Sequence, residues 1–454
     1  MIKSINPATE ENIQVYTEMT ESEVKSVISD CSTTYLNWLK TDFKTRAKYM
    51  ENTAGILRSK KDRLAATITL EMGKPINQSN AEVEKCAWAC DYYAENAEKF
   101  LADNIISTDA ALSYVTYKPL GVVLAIMPWN FPFWQVFRFA APNLMAGNAG
   151  VLKHSSNVTG CALAIEEIFR EAGFPENLFR TLIVSSNNIK PAIHDNNIRA
   201  VTLTGSVPAG KAVASMAGAV LKKTVLELGG SDPYLILEDA DLETASEICV
   251  NSRIINSGQS CIAAKRFIVV EPIFDDFEKL FIQKMKLKKM GDPFNPGNDL
   301  GPQAKTDLRD ELHQQVLNSI KVGARLLLGG ELPKLKGAYY PPTVISNVIP
   351  GMPAFDEELF GPVAAIIKVK DEDEGIRVAN YTSFGLGAAV FTANVARGER
   401  IANERLNAGC CFVNESVKSD PRLPFGGINE SGYGRELSSI GIQEFVNIKT
   451  VYVK

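Results

Sequence analysis

The chain has 454 residues, too many for one hydrophobic core of ordinary size, so two or three domains are expected. With 45% hydrophobic and 22% charged residues it has the balance of a soluble globular protein. A net charge of −5 argues against a nucleic-acid backbone as partner.

Met1–Asn12 is polar and holds no apolar signal core, which argues against secretion. Residues 21–104 read as helices, with apolar positions at helical spacing from Arg46 through Leu57 and beyond. Glu71-Met72-Gly73-Lys74-Pro75 closes one of them with Gly and then Pro. The longest apolar stretch, Leu120 to Phe139, is broken by Pro128, Asn130, Pro132, Gln135 and Arg138. It reads as a buried strand, a loop and an amphipathic helix, and no membrane span is expected.

From Gly121 to Leu228 strand-like and helical runs alternate. The strands are Gly121–Met127, Gly150–Lys153, Thr181–Val184, Ala200–Leu203 and Thr224–Leu228; the helices include Gly160–Ala172 and Ala209–Ala219. Such alternation predicts an α/β fold whose parallel sheet binds ligand beyond its carboxyl ends. Residues 230–430 alternate again. A helix starts at Asp241 and runs toward Gly258, another spans Thr306–Ile320, and Val363–Val369, Gly385–Thr392 and Cys410–Asn414 read as strands. Ala111–Tyr117 and Phe445–Val453 are β-rich and would suit a hairpin extension that pairs between subunits.

The eight cysteines fit neither a disulfide framework nor a zinc site, and there are only three histidines. Reduced thiols in the cytoplasm and no metal are expected. One cysteine stands apart. Cys261 closes Gly258-Gln259-Ser260-Cys261, where glycine permits a sharp turn and backbone N–H groups could face a thiolate or an oxyanion. It is a nucleophile or a buried structural thiol. Glu227 ends a strand-like run and precedes Gly229-Gly230; burial there would raise its pKa toward general-base range, unless it is simply ion-paired. Asn130, in Pro128-Trp129-Asn130-Phe131-Pro132, offers an uncharged N–H to an oxyanion or marks a turn. Thr204-Gly205-Ser206-Val207-Pro208-Ala209-Gly210 leaves a strand and opens a helix: Ser206 can cap it, Pro208 suits its first turn, and such an N-terminus can hold a pyrophosphate. Lys153 ends a strand, where it would contact ribose or phosphate, or is solvated.

Together these residues strongly resemble the aldehyde dehydrogenase superfamily, over nearly the whole chain from Asn6-Pro7-Ala8-Thr9 to the C-terminal strand. Glu358-Leu359-Phe360-Gly361-Pro362-Val363 and Pro424-Phe425-Gly426-Gly427 complete the ordered set of matches. Within the superfamily the chain is most similar to bacterial succinate-semialdehyde dehydrogenases. The resemblance implies a Rossmann-type dinucleotide-binding domain (1–104 and 120–229), an α/β catalytic domain (230–432) and a small β oligomerisation extension (105–119 and 433–454). It implies a homodimer or homotetramer. It also implies that Cys261 attacks the aldehyde, that Asn130 and the Cys261 N–H hold the oxyanion, and that hydride leaves to NAD or NADP. Water activated by Glu227 then hydrolyses the thioester. Trp129, Lys153, Gly205, Ser206, Leu228, Gly229, Glu358 and Phe360 would surround the cofactor.

Two departures from the family pattern matter. Ser156 stands where NAD-preferring relatives often carry a ribose-binding Glu. Like charges about 4 Å apart cost roughly 4 kcal/mol at an effective dielectric near 20, so Ser156 would admit the 2′-phosphate of NADP. Of the two arginines that many succinate-semialdehyde enzymes place on the substrate carboxylate, Arg138 matches one, but Ile255 occupies the other position. Ser419, with Lys418 and Arg422 nearby, is a candidate replacement. The rival readings are another or broader semialdehyde dehydrogenase, a CoA-acylating dehydrogenase, a non-redox thiol hydrolase and a non-catalytic relative.

Overall fold

The computed structural model describes residues 1–454. A short antiparallel hairpin, Ile2–Ile5 with Asn12–Tyr16, leads into four helices. Their ends follow the sequence closely. Thr20 and Glu23 form a reciprocal capping box at Glu21–Trp38, and Asp42 caps Phe43–Ser59. Gly73, at φ 76°, closes Lys61–Met72 in the left-handed conformation before Pro75 starts Ile76–Phe100.

Two large sheets follow. The first runs in the order Gly432–Tyr433, Lys223–Glu227, Ile198–Thr204, Val122–Met127, Ala149–His154, Phe179–Thr181. All neighbours are parallel except the Gly432–Tyr433 edge. The second runs Arg325–Leu328, Thr343–Ser346, Val363–Val369, Arg266–Val270, Pro233–Ile236, Gly387–Phe391, Cys410–Val413, with only its first strand antiparallel. Side chains alternate across it as strand geometry requires: Leu235 and Ile268 pack into one apolar layer, Tyr234, Ile236, Phe267 and Val269 into the other. Covering both faces of a parallel sheet explains why these strands read as continuous apolar runs.

Two expectations need correction. The edge strand is Phe179–Thr181, not Thr181–Val184; it pairs only with Gly150–Leu152, and after Leu182 the chain turns off so that the Ile183 carbonyl accepts from Met19 N–H. The helix Trp134–Met145 is buried on every side rather than amphipathic, because Ile76–Phe100, the sheet and the Phe445 segment enclose it. Of the two readings of Lys153, the solvated one falls, because its side chain is buried.

The third sheet is antiparallel: Asn104–Ile105, Leu112–Pro119 and Val446–Val453. The last two pair within the chain, from Val446 opposite Pro119 to Val453 opposite Leu112. Leu437, Ile442 and Phe445, just before it, pack into the core around the first sheet. No helix is long and apolar enough to cross a membrane.

Candidate active site

Strand order reverses at Val122–Met127. The next two strands in the chain lie on one side of it, and Ile198–Thr204 and Lys223–Glu227 lie on the other. A crevice opens beyond the carboxyl ends at such a switch point. Pro128, Trp129 and Asn130 leave one of these strands; Gly205 and Ser206 leave the other. All five line one cavity of about 490 Å³. Leu228, Gly229, Glu358 and Phe360 complete the same wall.

The details suit a nucleotide. Ser206 caps the helix Val207–Gly218, its hydroxyl accepting from Ala209 N–H. A Cβ on Gly205 would meet only Leu203, so space is open there, whereas one on Gly229 would collide with the Glu358 carboxylate. Glu358 is held by the Gly230 N–H at 3.1 Å and by Lys265 Nζ at 3.3 Å. Trp129 and Phe360 face each other edge-on, 5.6 Å between ring centres. Lys153 and Ser156 do not line this cavity. Lys153 Nζ donates to Ser186 Oγ at 3.1 Å, and its pKa is lowered by burial and then by the charge of Lys305. Neither lysine is paired with a carboxylate. Ser186 and Lys305 carry no sequence signal of their own; they are neighbours of Lys153 only in three dimensions.

The segment before Cys261 is strained and firmly held. The helix Leu242–Ile254 is capped by Asp241 and gives way to a turn in which Asn256, Ser257 and Gly258 have φ of 54°, 54° and 78°. The left-handed conformation costs roughly 1–2 kcal/mol for each non-glycine residue. Hydrogen bonds offset it at about 1 kcal/mol each. Asn256 N–H donates to Gln78 Oε1 (2.6 Å), and Asn256 Nδ2 donates to the Asn130 carbonyl (2.7 Å) and the Gln259 carbonyl (3.0 Å). Gly301 N–H and Gln303 Nε2 anchor Ser257. Gly258 packs so closely on Gly361 that a Cβ would overlap its backbone, which ties the Cys261 loop to the Glu358–Phe360 loop.

Cys261 is half-buried. Burial pushes its thiol up to about 12, while Arg138 and then Lys265 pull it back down. Asn130 is 4% exposed and donates one amide hydrogen to the Gln259 carbonyl at 3.1 Å. That bond orients the amide and leaves its second N–H free. The Cys261 N–H has no acceptor in the protein. Two unspent donors therefore flank the thiol.

Cys261 and Gln135 are shared between this cavity and a second, of about 570 Å³. Arg138, Ser419 and Ile255 line the second. The guanidinium of Arg138 is already paired with Glu436 and donates to Thr204 Oγ1 at 3.3 Å. Glu227 ends the strand Lys223–Glu227, only 2% exposed, and neither carboxylate oxygen has a hydrogen-bond partner. Burial, and then the charge of Glu436, hold its pKa well above the carboxylate range, with Arg138 opposing. Its carboxylate lies against Gly426 rather than on either cavity wall. The structure thus brings Cys261 and Asn130 to one cavity wall and places Glu227 on neither. Glu436, which sets the charge around Glu227 and Arg138, gives no sequence signal that distinguishes it from a surface carboxylate.

None of the three histidines lines either cavity. His154 is buried with both ring nitrogens on backbone groups, and burial pushes it down to about 4. A Cys–His dyad at Cys261 is ruled out.

The sequence pattern of the aldehyde dehydrogenase family matches residues 1–451. The chain belongs to the aldehyde dehydrogenase family. This aldehyde dehydrogenase is 48% identical over 452 residues to a protein of Synechocystis sp. named as a probable NADP(+) succinate-semialdehyde dehydrogenase, covering 100% of the chain and 99% of that protein. It is 46% identical over 455 residues to succinate-semialdehyde dehydrogenase 1, NADP(+), of Mycobacterium bovis, with the same coverage. Among solved structures, succinic semialdehyde dehydrogenase of Streptococcus pyogenes in complex with NADP+ superposes with a TM-score of 0.98 at 37% identity over 100% of both chains.

Proposed function

We propose that this aldehyde dehydrogenase oxidises succinate semialdehyde to succinate, with NADP preferred to NAD. The observation that carries the reading is the position of Cys261, the one nucleophile on the wall of both cavities. The names of the relatives and the NADP+ bound to the Streptococcus pyogenes enzyme support the substrate and the cofactor.

The nicotinamide dinucleotide belongs in the cavity of Trp129, Gly205, Ser206, Leu228, Gly229, Glu358 and Phe360, where the ring supplies a hydride acceptor. The Ser206 helix end receives the pyrophosphate. Beside Lys153, Ser156 leaves room for a 2′-phosphate. The aldehyde enters the second cavity, flanked by Arg138 and Ser419. Cys261 Sγ gives up its proton to solvent and bonds to the carbonyl carbon, and the resulting oxyanion accepts hydrogen bonds from the spare N–H of Asn130 and the N–H of Cys261. Loss of hydride from that carbon leaves a thioester on Cys261. Glu227 must then swing from Gly426 toward the thioester and, as the anion, take a proton from water. The acid leaves and the thiol is restored.

Residues 1–104 and 120–229 would serve as the cofactor domain and 230–432 as the catalytic domain. Residues 105–119 and 433–454 would join subunits into a homodimer or homotetramer. Eight free thiols fit a cytoplasmic enzyme.

Initial rates with NADP and NAD, on succinate semialdehyde and on butanal and without CoA, test the reading. Succinate semialdehyde with NADP should give the highest kcat/KM. A requirement for CoA, equal rates on the two aldehydes, or inactivity with millimolar NADP would refute it. Ser156→Glu should raise KM for NADP on the order of 1,000-fold more than KM for NAD.

A further inference from the structure

A substrate that carries a carboxylate needs a cation to receive it, and the pairing of Arg138 with Glu436 leaves that need unmet. Four cations line the second cavity: Lys85, Arg138, Lys288 and Lys418. Two are spent. Arg138 is paired with Glu436, and Lys418 with Glu415 at 3.0 Å. Lys288 donates to the Asn251 side chain at 2.8 Å. Lys85 has no carboxylate partner. Its Nζ lies 4.3 Å from the centre of the Trp134 ring and donates to Ser419 Oγ at 2.8 Å.

The serine is the second observation. Ser419 is 6% exposed, and its Oγ also accepts from Trp134 Nε1 at 3.1 Å. A hydroxyl has two acceptor positions and one O–H. Lys85 and Trp134 fill both acceptor positions, so the O–H must donate, yet no acceptor for it exists in the protein. A half-buried cation and a buried O–H donor, both lacking an acceptor that carries charge, meet at one point of the cavity wall. With Trp134 they come from three separate elements: the helix Ile76–Phe100, the start of Trp134–Met145 and the loop after Cys410–Val413. Ile255, at the position of the second arginine in many succinate-semialdehyde enzymes, is apolar wall.

We propose that Lys85 supplies the positive charge that receives the substrate's remote carboxylate, with the Ser419 O–H donating beside it; this role rests on succinate semialdehyde being the substrate. Trp134 holds both in place, by its ring face under the ammonium and its N–H on the hydroxyl. Burial, and then Arg138, push the lysine down to about 8, and an arriving anion offsets both effects. Ammonium and hydroxyl together replace the arginine that is missing at Ile255.

The test compares kcat/KM for succinate semialdehyde and for butanal, its uncharged counterpart, in the wild-type enzyme and in Lys85→Met, Lys85→Arg and Lys288→Met. Lys85→Met should lower the succinate semialdehyde to butanal ratio by roughly 10- to 100-fold, the range for one lost charge-assisted hydrogen bond. Lys85→Arg should restore most of the ratio, and Lys288→Met should keep it. Equal losses on both aldehydes in Lys85→Met would show that Lys85 merely props Ser419 and Trp134, and would overturn the proposal. So would a ratio lost in Lys288→Met but kept in Lys85→Met. A wild-type enzyme with no preference between the aldehydes would instead remove the substrate reading, and the role of Lys85 with it.

Discussion

Glu227 is a buried carboxyl group whose surroundings disfavour its anion. Burial and Glu436 raise its pKa, and Arg138, which neutralises Glu436, limits the rise. Only the anion can accept a proton from water, so the hydrolytic step should quicken as pH rises through the Glu227 pKa and slow below it. A kcat–pH profile for succinate semialdehyde should climb on its acid side at a pH well above ordinary carboxylate values, and Glu227→Gln should flatten that limb. The same variant should lower steady-state turnover by roughly 10²- to 10⁴-fold, the usual worth of a positioned base, while still releasing one early equivalent of reduced cofactor per site. Loss of that burst would mean that Glu227 also deprotonates Cys261, whose thiol burial holds near 12. Arg138 stands between these groups and touches Glu436 directly. Removing it would therefore disturb the chemistry of every aldehyde, in contrast to the substrate-selective effect expected at Lys85.

At the scale of elements, the decisive piece is the turn Ile255–Gly258, which converts the end of a helix into a loop that presents Cys261. Gly258 serves it twice, by its positive φ and by admitting the Gly361 backbone. Gly258→Ala should cost about 2 kcal/mol or more. It should also displace the Glu358–Phe360 loop, so the urea midpoint and the affinity for NADP should fall together; a variant unchanged in both would contradict the role assigned to that contact. Which elements were legible follows from their surroundings. Val363–Val369 has a partner on each side, and its apolar run alone marks its limits. Phe179–Thr181 has one partner and ends where a tertiary contact pulls the chain away, so its register could not be read locally. The helix Trp134–Met145 looks amphipathic because of Gln135, Arg138 and Asn143. Two of these polar groups find partners inside the protein, Arg138 in Glu436 and Asn143 Nδ2 in the Ala149 carbonyl, and sequence spacing cannot distinguish such an internal pairing from solvent.

Across the whole molecule, two cavities built from different parts of the chain share a single thiol. The parallel sheet whose carboxyl ends open onto the first cavity was legible in the alternation of strands and helices, though its strand order was not. Cys261, Asn130 and the Gly205-Ser206 turn were legible because each lies in a compact run of telling residues. Lys85, Glu436 and Lys265 were not. Each is one charged residue in an ordinary stretch, and its role exists only once segments far apart in the chain are folded against one another. Oxidation through a thioester on the cysteine at the junction is open to direct capture. Glu227→Gln enzyme mixed with succinate semialdehyde and NADP, quenched in acid and digested, tests it by peptide mass spectrometry. One succinyl group per chain is expected, on the peptide that contains Cys261; no acyl group, or one carried by any of the other seven cysteines, would refute the thioester.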